Sequence, residues 1–538
     1  MAWNYGDILD TIAPALPPEA PALVHGERVI TWSEMTKRTN NIARALHDRG
    51  IDYGDKCAFY MRNRPEYTEL LCACFKGRFT HVNVNYRYKA EEVFYILDNS
   101  DATVVVYGAE FRDVIEEIRE RLTKVKVFVE VSGNDETPAW AVNYETLATE
   151  GDGSNLEIER SGDDLLFIYT GGTTGMPKGV MWRHDDLREA QLIALRKLGP
   201  VPETLPELYE AIKELGPGTR LIPACPLMHG TGLLTAMGAM MSGGCVVTLE
   251  KATFDPQELW EAAEKNQVTQ IAIVGDAFAK PMLRELREGG RKYDLSSVVS
   301  IISSGVMWSS DVKKGLLEFL PDEAIMADSF GSSEALGFGS SQTTKEGVIE
   351  TAKFQIGELC KVFDENDELV EPGSGTPGII AMGGPIPVGY YKDPEKTAKT
   401  FKTIQGNRYS IPGDWCIVES DGTLTLLGRG SVCINTAGEK VYPEEVEEIL
   451  KLHPAVEDAL VVGLPDDKWG QAVTGVVHLA AGQHFDEDAL KAHVRAHLAG
   501  YKTPKRILVG AVPFRAPNGK ADYKGVTEFA KRELGAAA

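Results

Sequence analysis

Residues 169–180 combine small, hydroxyl-bearing and basic side chains at a spacing that suits the binding of a phosphate. Their sequence is Tyr-Thr-Gly-Gly-Thr-Thr-Gly-Met-Pro-Lys-Gly-Val. Glycines let the backbone turn tightly and bring N–H groups close to an anion. The threonine hydroxyls add donors, and Lys178 adds a positive charge. Because Gly179 follows Lys178, the segment is not the G-x-x-x-x-G-K-[ST] loop of kinases and GTPases. It indicates an anion-binding loop, although an ordinary strand-to-turn connection has a similar composition.

Five further segments are rich in small residues, and four of them also carry a charged or titratable side chain. They are Pro226-Leu-Met-His-Gly-Thr-Gly-Leu233, Ser303-Ser-Gly-Val306, Asp328-Ser-Phe-Gly-Ser-Ser-Glu334, Tyr409-Ser-Ile-Pro-Gly-Asp414 and Phe514-Arg-Ala-Pro-Asn-Gly-Lys520. Taken singly, these segments are also typical of turns, of a helix N-terminus or of a structural histidine. A functional interpretation therefore depends on their joint occurrence.

In this order, and together with residues 429–447, the segments resemble the motifs of the AMP-forming acyl-CoA synthetases. The resemblance extends over residues 165–520, which is nearly the whole chain. It implies an enzyme that joins a carboxylate to the α-phosphate of ATP with release of pyrophosphate. The acyl group of the resulting acyl-adenylate then passes to the thiol of coenzyme A.

The resemblance implies an ATP site built from the phosphate loop and from five later segments. In the family, an aromatic residue lies against adenine and an aspartate accepts hydrogen bonds from the ribose hydroxyls, a task that suits a carboxylate because it has no competing donor. The matching residues in this chain are Thr170, Gly171, Gly172, Thr173, Thr174, Gly175, Lys178, Ser304, Gly305, Asp328, Ser329, Phe330, Gly331, Ser332, Ser333, Asp414, Arg429 and Lys520.

The catalytic groups that the resemblance implies are Lys520, Glu334 and His229. Lys520 is the expected adenylation lysine, whose ammonium would stabilise charge on the reacting phosphate. Glu334 and Thr170 are the expected Mg²⁺ contacts. An acyl pocket is expected around His229 and three further residues. These three are Gly232, Leu233 and Gly305.

The C-terminal part of the resemblance concerns coenzyme A. Gly438 matches a glycine beside which the pantetheine arm runs, and Glu439 and Lys440 follow it as further candidates for CoA contacts. Ser431 stands at the family's hinge position, where relatives carry Asp or Lys. Other departures from the family pattern are Ser333 for Thr, Pro412 for Thr, Phe514 for Pro and Ala516 for Thr.

Composition restricts the class of protein. The 538 residues carry a net charge of −23, with 56 basic and 79 acidic side chains, so a nucleic-acid partner is not expected. The eight cysteines are scattered and form no zinc motif, which favours reduced thiols in a cytoplasmic protein. The sequence shows no signal peptide and no transmembrane segment. It leaves a peripheral membrane contact open and is compatible with a homodimer.

Apolar periodicity predicts the elements that must position these residues. Strands are predicted at 28–31, 56–61, 102–107, 126–131 and 165–169, and helices at 32–49, 67–75 and 111–122. This alternation predicts an α/β fold with mostly parallel sheets. The large N-terminal domain should hold two α/β subdomains and a β-rich subdomain, and a small mobile α+β domain should follow. The predicted boundaries are 1–428 for the adenylation domain, 429–433 for the hinge and 434–538 for the C-terminal domain.

Two questions stay open at this point, the acceptor and the acid. No carrier-protein domain follows Lys520, which favours free CoA, but an adenylating enzyme that serves a separate carrier protein and a non-catalytic ATP-binding module are the alternatives. Residues 82–88 and 430–435 resemble a bacterial branch that includes ligases for fatty acids and steroid side-chain acids. The small residues of 233–247 suit a bulky or long apolar acyl group.

Overall fold

The structure of the protein is a computed structural model. It describes residues 2–132, 136–170, 176–196, 199–306, 308–347, 353–429, 434–436, 439–466, 470–498, 500–515 and 521–535. By contacts between Cα atoms, the chain divides into two compact units. Unit 1 comprises Met1–Thr351 and Met382–Ser410, and unit 2 comprises Ala352–Ala381 and Ile411–Ala538.

The helices are distributed along the whole chain. They are α1 Tyr5–Ile12, α2 Trp32–Asp48, α3 Pro65–Gly77, α4 Ala90–Asn99, α5 Arg112–Ile118, α6 Tyr144–Thr149, α7 His184–Arg196, α8 Leu205–Leu215, α9 Gly230–Met240, α10 Pro256–Lys265, α11 Asp276–Glu288, α12 Ser310–Leu317, α13 Pro394–Thr400, α14 Pro443–Lys451, α15 Glu487–His497 and α16 Tyr523–Leu534. Short 3-10 turns lie at Ala13–Ala15, Ala109–Phe111, Arg119–Arg121 and Gly500–Lys502. Within the described ranges, no helix combines the length and apolarity needed to cross a membrane.

The strands fall into several sheets. They are β1 Pro21–His25, β2 Arg28–Thr31, β3 Lys56–Tyr60, β4 Thr80–Asn83, β5 Ala102–Gly108, β6 Val127–Val131, β7 Val142–Asn143, β8 Leu165–Thr170, β9 Lys178–Arg183, β10 Arg220–Pro223, β11 Cys245–Thr248, β12 Gln270–Ile273, β13 Ser300–Ser304, β14 Ile325–Ser332, β15 Ala335–Thr343, β16 Lys353–Ile356, β17 Cys360–Phe363, β18 Pro377–Met382, β19 Gly389–Tyr390, β20 Phe401–Ile404, β21 Asn407–Ser410, β22 Asp414–Val418, β23 Thr423–Arg429, β24 Ile434–Thr436, β25 Glu439–Val441, β26 Val456–Asp466, β27 Gly470–Leu479 and β28 Arg506–Val509.

The first sheet of unit 1 has the strand order β19-β9-β8-β4-β3-β5-β6-β7. From β8 to β7 all neighbours are parallel, whereas β9 and β19 add antiparallel strands at one edge. Strands covered on both faces are expected to be continuously apolar. The run Val104–Val106 in β5 is fully buried and fits this rule.

The second sheet of unit 1 contains the order β2-β1-β11-β10-β12-β13-β14-β15. Its central neighbours, from β1 to β14, are parallel. β2 and β15 pair antiparallel with β1 and β14, respectively. The carboxyl ends of the parallel strands therefore point to one edge, where ligands bind in open α/β sheets.

Unit 2 contains the antiparallel strands β16, β23, β22 and β18. It also holds a sheet of β25-β24-β27-β26, with β28 parallel to β27. The apolar side of this sheet packs on α14 and α15, through buried residues such as Val446, Leu450 and Val494. The predicted β-rich segment and the small α+β C-terminal domain are both present.

The predicted α/β class is confirmed, and most predicted elements agree within a few residues. The predicted helix at 32–49 is α2, and Thr31 caps it because its Oγ1 accepts a hydrogen bond from the Glu34 N–H at 3.1 Å. Helices α1, α4 and α8 are among those not predicted individually. Helix α8 lies inside 199–218, a segment rich in Pro and Gly.

Candidate active site

The phosphate loop connects two antiparallel strands. Thr170, the last residue of β8, pairs with Lys178, the first residue of β9; Gly171, Gly172, Thr173, Thr174 and Gly175 lie outside the described residues. The Lys178 ammonium forms an ion pair with the Asp393 carboxylate. This contact is the largest cause that holds the pKa of Asp393 below its usual value. The hairpin therefore presents a cation that is already oriented at the start of β9.

A buried asparagine connects the phosphate-loop strand to the segment that carries the candidate histidine. Asn83, at the end of β4, accepts a hydrogen bond from the Tyr169 N–H at 2.6 Å. Its amide nitrogen donates to the carbonyls of Tyr169 at 2.8 Å and Met228 at 2.7 Å. Only 3% of Asn83 is exposed, so these bonds are shielded from water. The two segments are thereby held at a fixed separation.

His229 is the N-cap residue of α9 and is half-buried. The turn before it is held by Asn63, which accepts from the Leu227 N–H at 2.7 Å and donates to two carbonyls at 3.0 and 3.1 Å. Gly232 has no room for a side chain, because a Cβ there would lie 2.4 Å from the Pro226 carbonyl oxygen. Leu233 is fully buried.

Strands β13 and β14 place two predicted segments next to each other. Ser303 pairs with Asp328, and Ser304 with Ser329, across the parallel ladder. Gly305 follows with φ +91°, a backbone conformation that favours glycine.

The Asp328 carboxylate pairs with the buried Lys313 ammonium. Burial raises the pKa of Asp328 to about 6, and the attraction of Lys313 opposes that rise. Asp328 is therefore part of a largely buried ion pair.

Glu334 lies at the turn between β14 and β15, and three neighbours fix this turn. The Trp182 indole N–H donates to the Ser333 carbonyl at 2.9 Å, and the Ser410 hydroxyl donates to the Glu334 carbonyl at 2.7 Å. The Tyr390 hydroxyl donates to Glu334 Oε1 at 2.8 Å. The Glu334 side chain is therefore held in a defined direction.

The rest of this hairpin carries the other residues predicted for ATP. Phe330 packs against Phe338 with ring centroids 5.3 Å apart. A Cβ on Gly331 would lie 3.0 Å from the Ala335 carbonyl oxygen, and the Ser332 hydroxyl accepts from the Glu334 N–H at 3.2 Å.

The groups around Glu334 fit a magnesium ion that is shared with phosphates. Within the part of the chain that the structure describes, Oε2 of Glu334 makes no hydrogen bond or ion pair, and there is no cluster of three His, Cys, Asp or Glu side chains that could hold a metal. Mg²⁺ commonly uses one or two protein carboxylates and completes its shell with water and substrate phosphates. A single oriented carboxylate is compatible with that mode.

Unit 1 brings several of the predicted residues together. Trp182 of β9 contacts Ser333, and the nearest atom to a Cβ built on Gly230 would be Ser333 Oγ, at 3.9 Å. The beginning of α9 and the Glu334 turn are thus neighbours, and Asn83 ties the same region to β8.

The remaining predicted residues belong to unit 2. Asp414 and Arg429 are directly paired across β22 and β23. Gly428, with φ +107°, lies so close to Glu444 that a Cβ would fall 1.6 Å from its Oε2. The side chains of Arg429, Glu439 and Lys440 are not described. Ser431, Gly438 and Lys520 lie outside the described residues.

Several residues of this region were not identified from the sequence. Asn63, Asn83, Trp182 and Tyr390 act through partners that are 56 or more residues away. The position of Asn83 between Val82 and Val84 was the one local signal, since a buried polar side chain requires hydrogen-bond partners. The sequence did not reveal those partners.

Comparison with known proteins identifies the family. Residues 11–391 match the AMP-binding enzyme family, and residues 445–520 match the AMP-binding enzyme C-terminal domain. The chain is 40% identical to a 3-oxocholest-4-en-26-oate--CoA ligase from Rhodococcus rhodochrous, over 97% of this chain and 95% of that protein. It is 38% identical to a medium/long-chain-fatty-acid--CoA/3-oxocholest-4-en-26-oate--CoA ligase from Mycolicibacterium smegmatis, over 98% and 97% of the two chains.

Solved structures show the same fold at low sequence identity. The anthranilate CoA ligase AuaEII in complex with anthranoyl-AMP aligns with a TM-score of 0.84 at 21% identity, over 99% of this chain and 98% of that one. ATP-bound MatB from Rhodopseudomonas palustris aligns with a TM-score of 0.81 at 23% identity, over 98% and 99%. Together with the family matches, these findings show that the chain belongs to the AMP-binding enzyme family and is an AMP-forming acyl-CoA synthetase.

Proposed function

We propose that this ligase activates a bulky apolar carboxylic acid, either a fatty acid or a steroid side-chain acid, and transfers it to CoA. The observation that carries the proposal is 38–40% identity over nearly the full length to two ligases named for such acids. The small residues of α9, among them Gly230, Gly232 and Ala236, are compatible with a large acyl group beside this helix.

In the first half-reaction, the acid's carboxylate attacks the α-phosphate of ATP and pyrophosphate leaves. Such a transfer needs positioning and charge neutralisation more than covalent help. We assign the phosphate contacts to residues 170–175 and Lys178, and the metal contact to Glu334, with Thr170 beside it. Bound Mg²⁺ would neutralise phosphate charge. Lys520 is assigned to the reacting phosphate and carboxylate, and Asp414 with Arg429 to the ribose.

In the second half-reaction, the CoA thiol attacks the acyl carbon and AMP leaves. Gly438 is assigned to the path of the pantetheine arm, because a side chain at that position would obstruct it. Glu439 and Lys440 are assigned to further CoA contacts. Ser431 is the proposed pivot, since a hinge needs a residue that tolerates a change of φ and ψ. The proposed boundaries stay at 1–428, 429–433 and 434–538.

A panel of acids tests this function. The enzyme is incubated with ATP, Mg²⁺, CoA and, in turn, acetate, a medium-chain fatty acid, a long-chain fatty acid and a steroid side-chain acid, and AMP and acyl-CoA are quantified. We expect equal amounts of both products with the large acids and little with acetate. Acyl-adenylate without a thioester would favour delivery to a carrier protein. No AMP with any acid would favour a non-catalytic ATP-binding module.

Two substitutions separate the half-reactions. Lys520→Ala should lower acid-dependent ATP–pyrophosphate exchange about 10²-fold or more, as removal of a charge-stabilising group does, and should spare thioester formation from supplied acyl-adenylate. Gly438→Trp should have the opposite pattern. Lys524→Ala, which changes an exposed lysine of α16, is the matched control. An equal loss of both steps in Lys520→Ala would contradict the assigned role.

We also propose a cytoplasmic location and a homodimer. The free, buried thiols at Cys57, Cys72, Cys74, Cys225, Cys245, Cys360 and Cys416 support a reducing compartment. Light scattering after size-exclusion chromatography tests the dimer, for which a mass near 118 kDa is expected from about 59 kDa per chain.

A further inference from the structure

Residues 389–397, which we call the β19 segment, contact two charged groups of the proposed ATP site, Lys178 and Glu334. The segment comprises β19, the turn after it and the first residues of α13. β19 pairs antiparallel with β9, through Gly389 with Met181 and Tyr390 with Val180. β19 is therefore the edge strand of this sheet and lies next to β9, whose first residue is Lys178.

The β19 segment is held by contacts of its middle residue, Asp393, and by a hydrogen bond between its two ends. Asp393 accepts a hydrogen bond from the Lys396 N–H at 2.9 Å as the N-cap of α13, and its other oxygen pairs with Lys178. The Tyr390 N–H donates to Thr397 Oγ1 at 2.9 Å. These contacts fix the backbone from which the Tyr390 side chain extends.

The Tyr390 side chain reaches Glu334, 56 residues earlier in the chain. The tyrosine is 5% exposed and the glutamate 8% exposed, so their hydrogen bond of 2.8 Å is shielded from water. The Tyr390 phenol O–H donates its hydrogen bond to Oε1 of Glu334. In the described ranges, Oε2 has no protein partner, which is the arrangement required of a carboxylate that offers one oxygen to a ligand.

We propose that Tyr390 is a positioning residue for the ATP-dependent step, which orients the Glu334 carboxylate so that Oε2 is available to Mg²⁺. This inference rests on the proposed role of Glu334. A hydrogen-bonded neighbour restricts the rotation of a metal-binding carboxylate, and loss of such a partner typically lowers metal affinity or activity about 10- to 100-fold. Tyr390 is proposed to act through Glu334, so it is a positioning residue and not a catalytic one.

The adjacent residue supplies a matched control. The Tyr391 hydroxyl donates to Asp101 Oδ2 at 2.7 Å, so Tyr391→Phe removes the same kind of bond as Tyr390→Phe. Asp101 has no proposed part in the reaction. Any loss common to the two variants reflects the removal of a tyrosine–carboxylate bond in general, and the difference between them reports on Glu334.

The test measures ATP binding by titration calorimetry, with no acid or CoA present, in EDTA and at increasing MgCl₂ concentrations. We expect Tyr390→Phe to require about 10-fold more Mg²⁺ than the wild type for half-maximal ATP binding, with unchanged ATP affinity in EDTA. In ATP–pyrophosphate exchange, the KM for Mg²⁺ should rise by a similar factor, whereas Tyr391→Phe should match the wild type. Equal Mg²⁺ dependence in the two tyrosine variants would overturn the proposal.

Glu334→Gln in the same titration separates this inference from the function on which it rests. If Glu334→Gln loses the Mg²⁺ dependence and Tyr390→Phe keeps it, the role of Tyr390 is wrong and that of Glu334 stands. If Glu334→Gln keeps the wild-type Mg²⁺ dependence, Glu334 is not the metal contact and both assignments fail. A Tyr390→Phe variant that binds ATP more weakly even in EDTA would also refute a role confined to the metal.

Discussion

Substitution of Asn83 by Asp changes one group in the bridge between β8 and the turn before His229. The carboxyl has nearly the same shape as the amide, and one oxygen can still accept from the Tyr169 N–H. The other oxygen replaces the amide nitrogen and faces two carbonyl oxygens, those of Tyr169 and Met228, at the present distances of 2.8 and 2.7 Å. An ionised carboxylate would be repelled there, so the buried acid should be protonated.

The expected loss in the free energy of unfolding of Asn83→Asp has two parts. A protonated carboxyl has one O–H where the amide has two N–H groups, so one buried carbonyl loses its donor at about 1–3 kcal/mol. Keeping the acid protonated costs about 1.4 kcal/mol for each pH unit above its unfolded pKa of about 3.9. At pH 7 the second part is therefore about 4 kcal/mol, unless the site relaxes.

The pH dependence of the stability of Asn83→Asp follows from the raised pKa of its buried carboxyl group. An acid whose pKa is higher in the folded than in the unfolded protein favours folding at low pH, and this stability is lost as the pH rises toward the folded-state pKa. Between pH 5 and pH 8, the free energy of unfolding of Asn83→Asp should fall by about 2–4 kcal/mol relative to the wild type. Urea unfolding at the two pH values measures it.

Asn407→Asp is the control, because Asn407 is exposed and its charge can be solvated. It should follow the wild type at both pH values. The activity of Asn83→Asp should fall in parallel, since the bridge fixes Met228 and with it His229. A destabilisation of Asn83→Asp that is the same at pH 5 and pH 8 would refute the argument from protonation.

Two further substitutions test the site from other directions. Lys313→Met leaves the Asp328 carboxylate buried without its cation, which should cost about 3–5 kcal/mol. Burial already raises the pKa of Asp328 to about 6, so more of this carboxyl is ionised at pH 8 than at pH 5. The variant's loss in melting temperature should therefore be larger at pH 8 than at pH 5. An equal loss at both pH values would contradict this prediction. Gly232→Ala places a Cβ 2.4 Å from the Pro226 carbonyl oxygen, so the beginning of α9 must move. This movement should lower the free energy of unfolding by about 1–3 kcal/mol. The KM for the acid should rise in ATP–pyrophosphate exchange, and wild-type kinetics would show that this close packing is unimportant.

The sequence predicted those parts of the fold that depend on local patterns. Helix α2 follows from apolar residues at helical spacing after the capping residue Thr31, and β5 follows from a continuous apolar run. Helix α8 was missed because Pro and Gly dominate its surroundings. Its Pro206 lies in the first turn, where proline is tolerated, and Thr204 caps it.

The candidate site was predictable only as a set of segments. The spacing of residues could place Glu334 and Lys178 in motifs, but it could not show that Tyr390 and Asp393 hold them. These partners are 56 and 215 positions away, and the contacts depend on the pairing of β19 with β9. Long-range strand pairing is decided by the packing of the whole sheet, not by local propensity.

The discontinuous composition of unit 1 has a consequence for synthesis on the ribosome. Residues 382–410 complete this unit only after a stretch that belongs to unit 2 has been made. Until Tyr390 emerges, the growing chain carries β9 as an unpaired edge, which is a template for aggregation, and Glu334 lacks its phenol partner. Because domains generally fold as units during synthesis, a nascent chain halted near residue 351 should be more dependent on chaperones than one halted beyond residue 410.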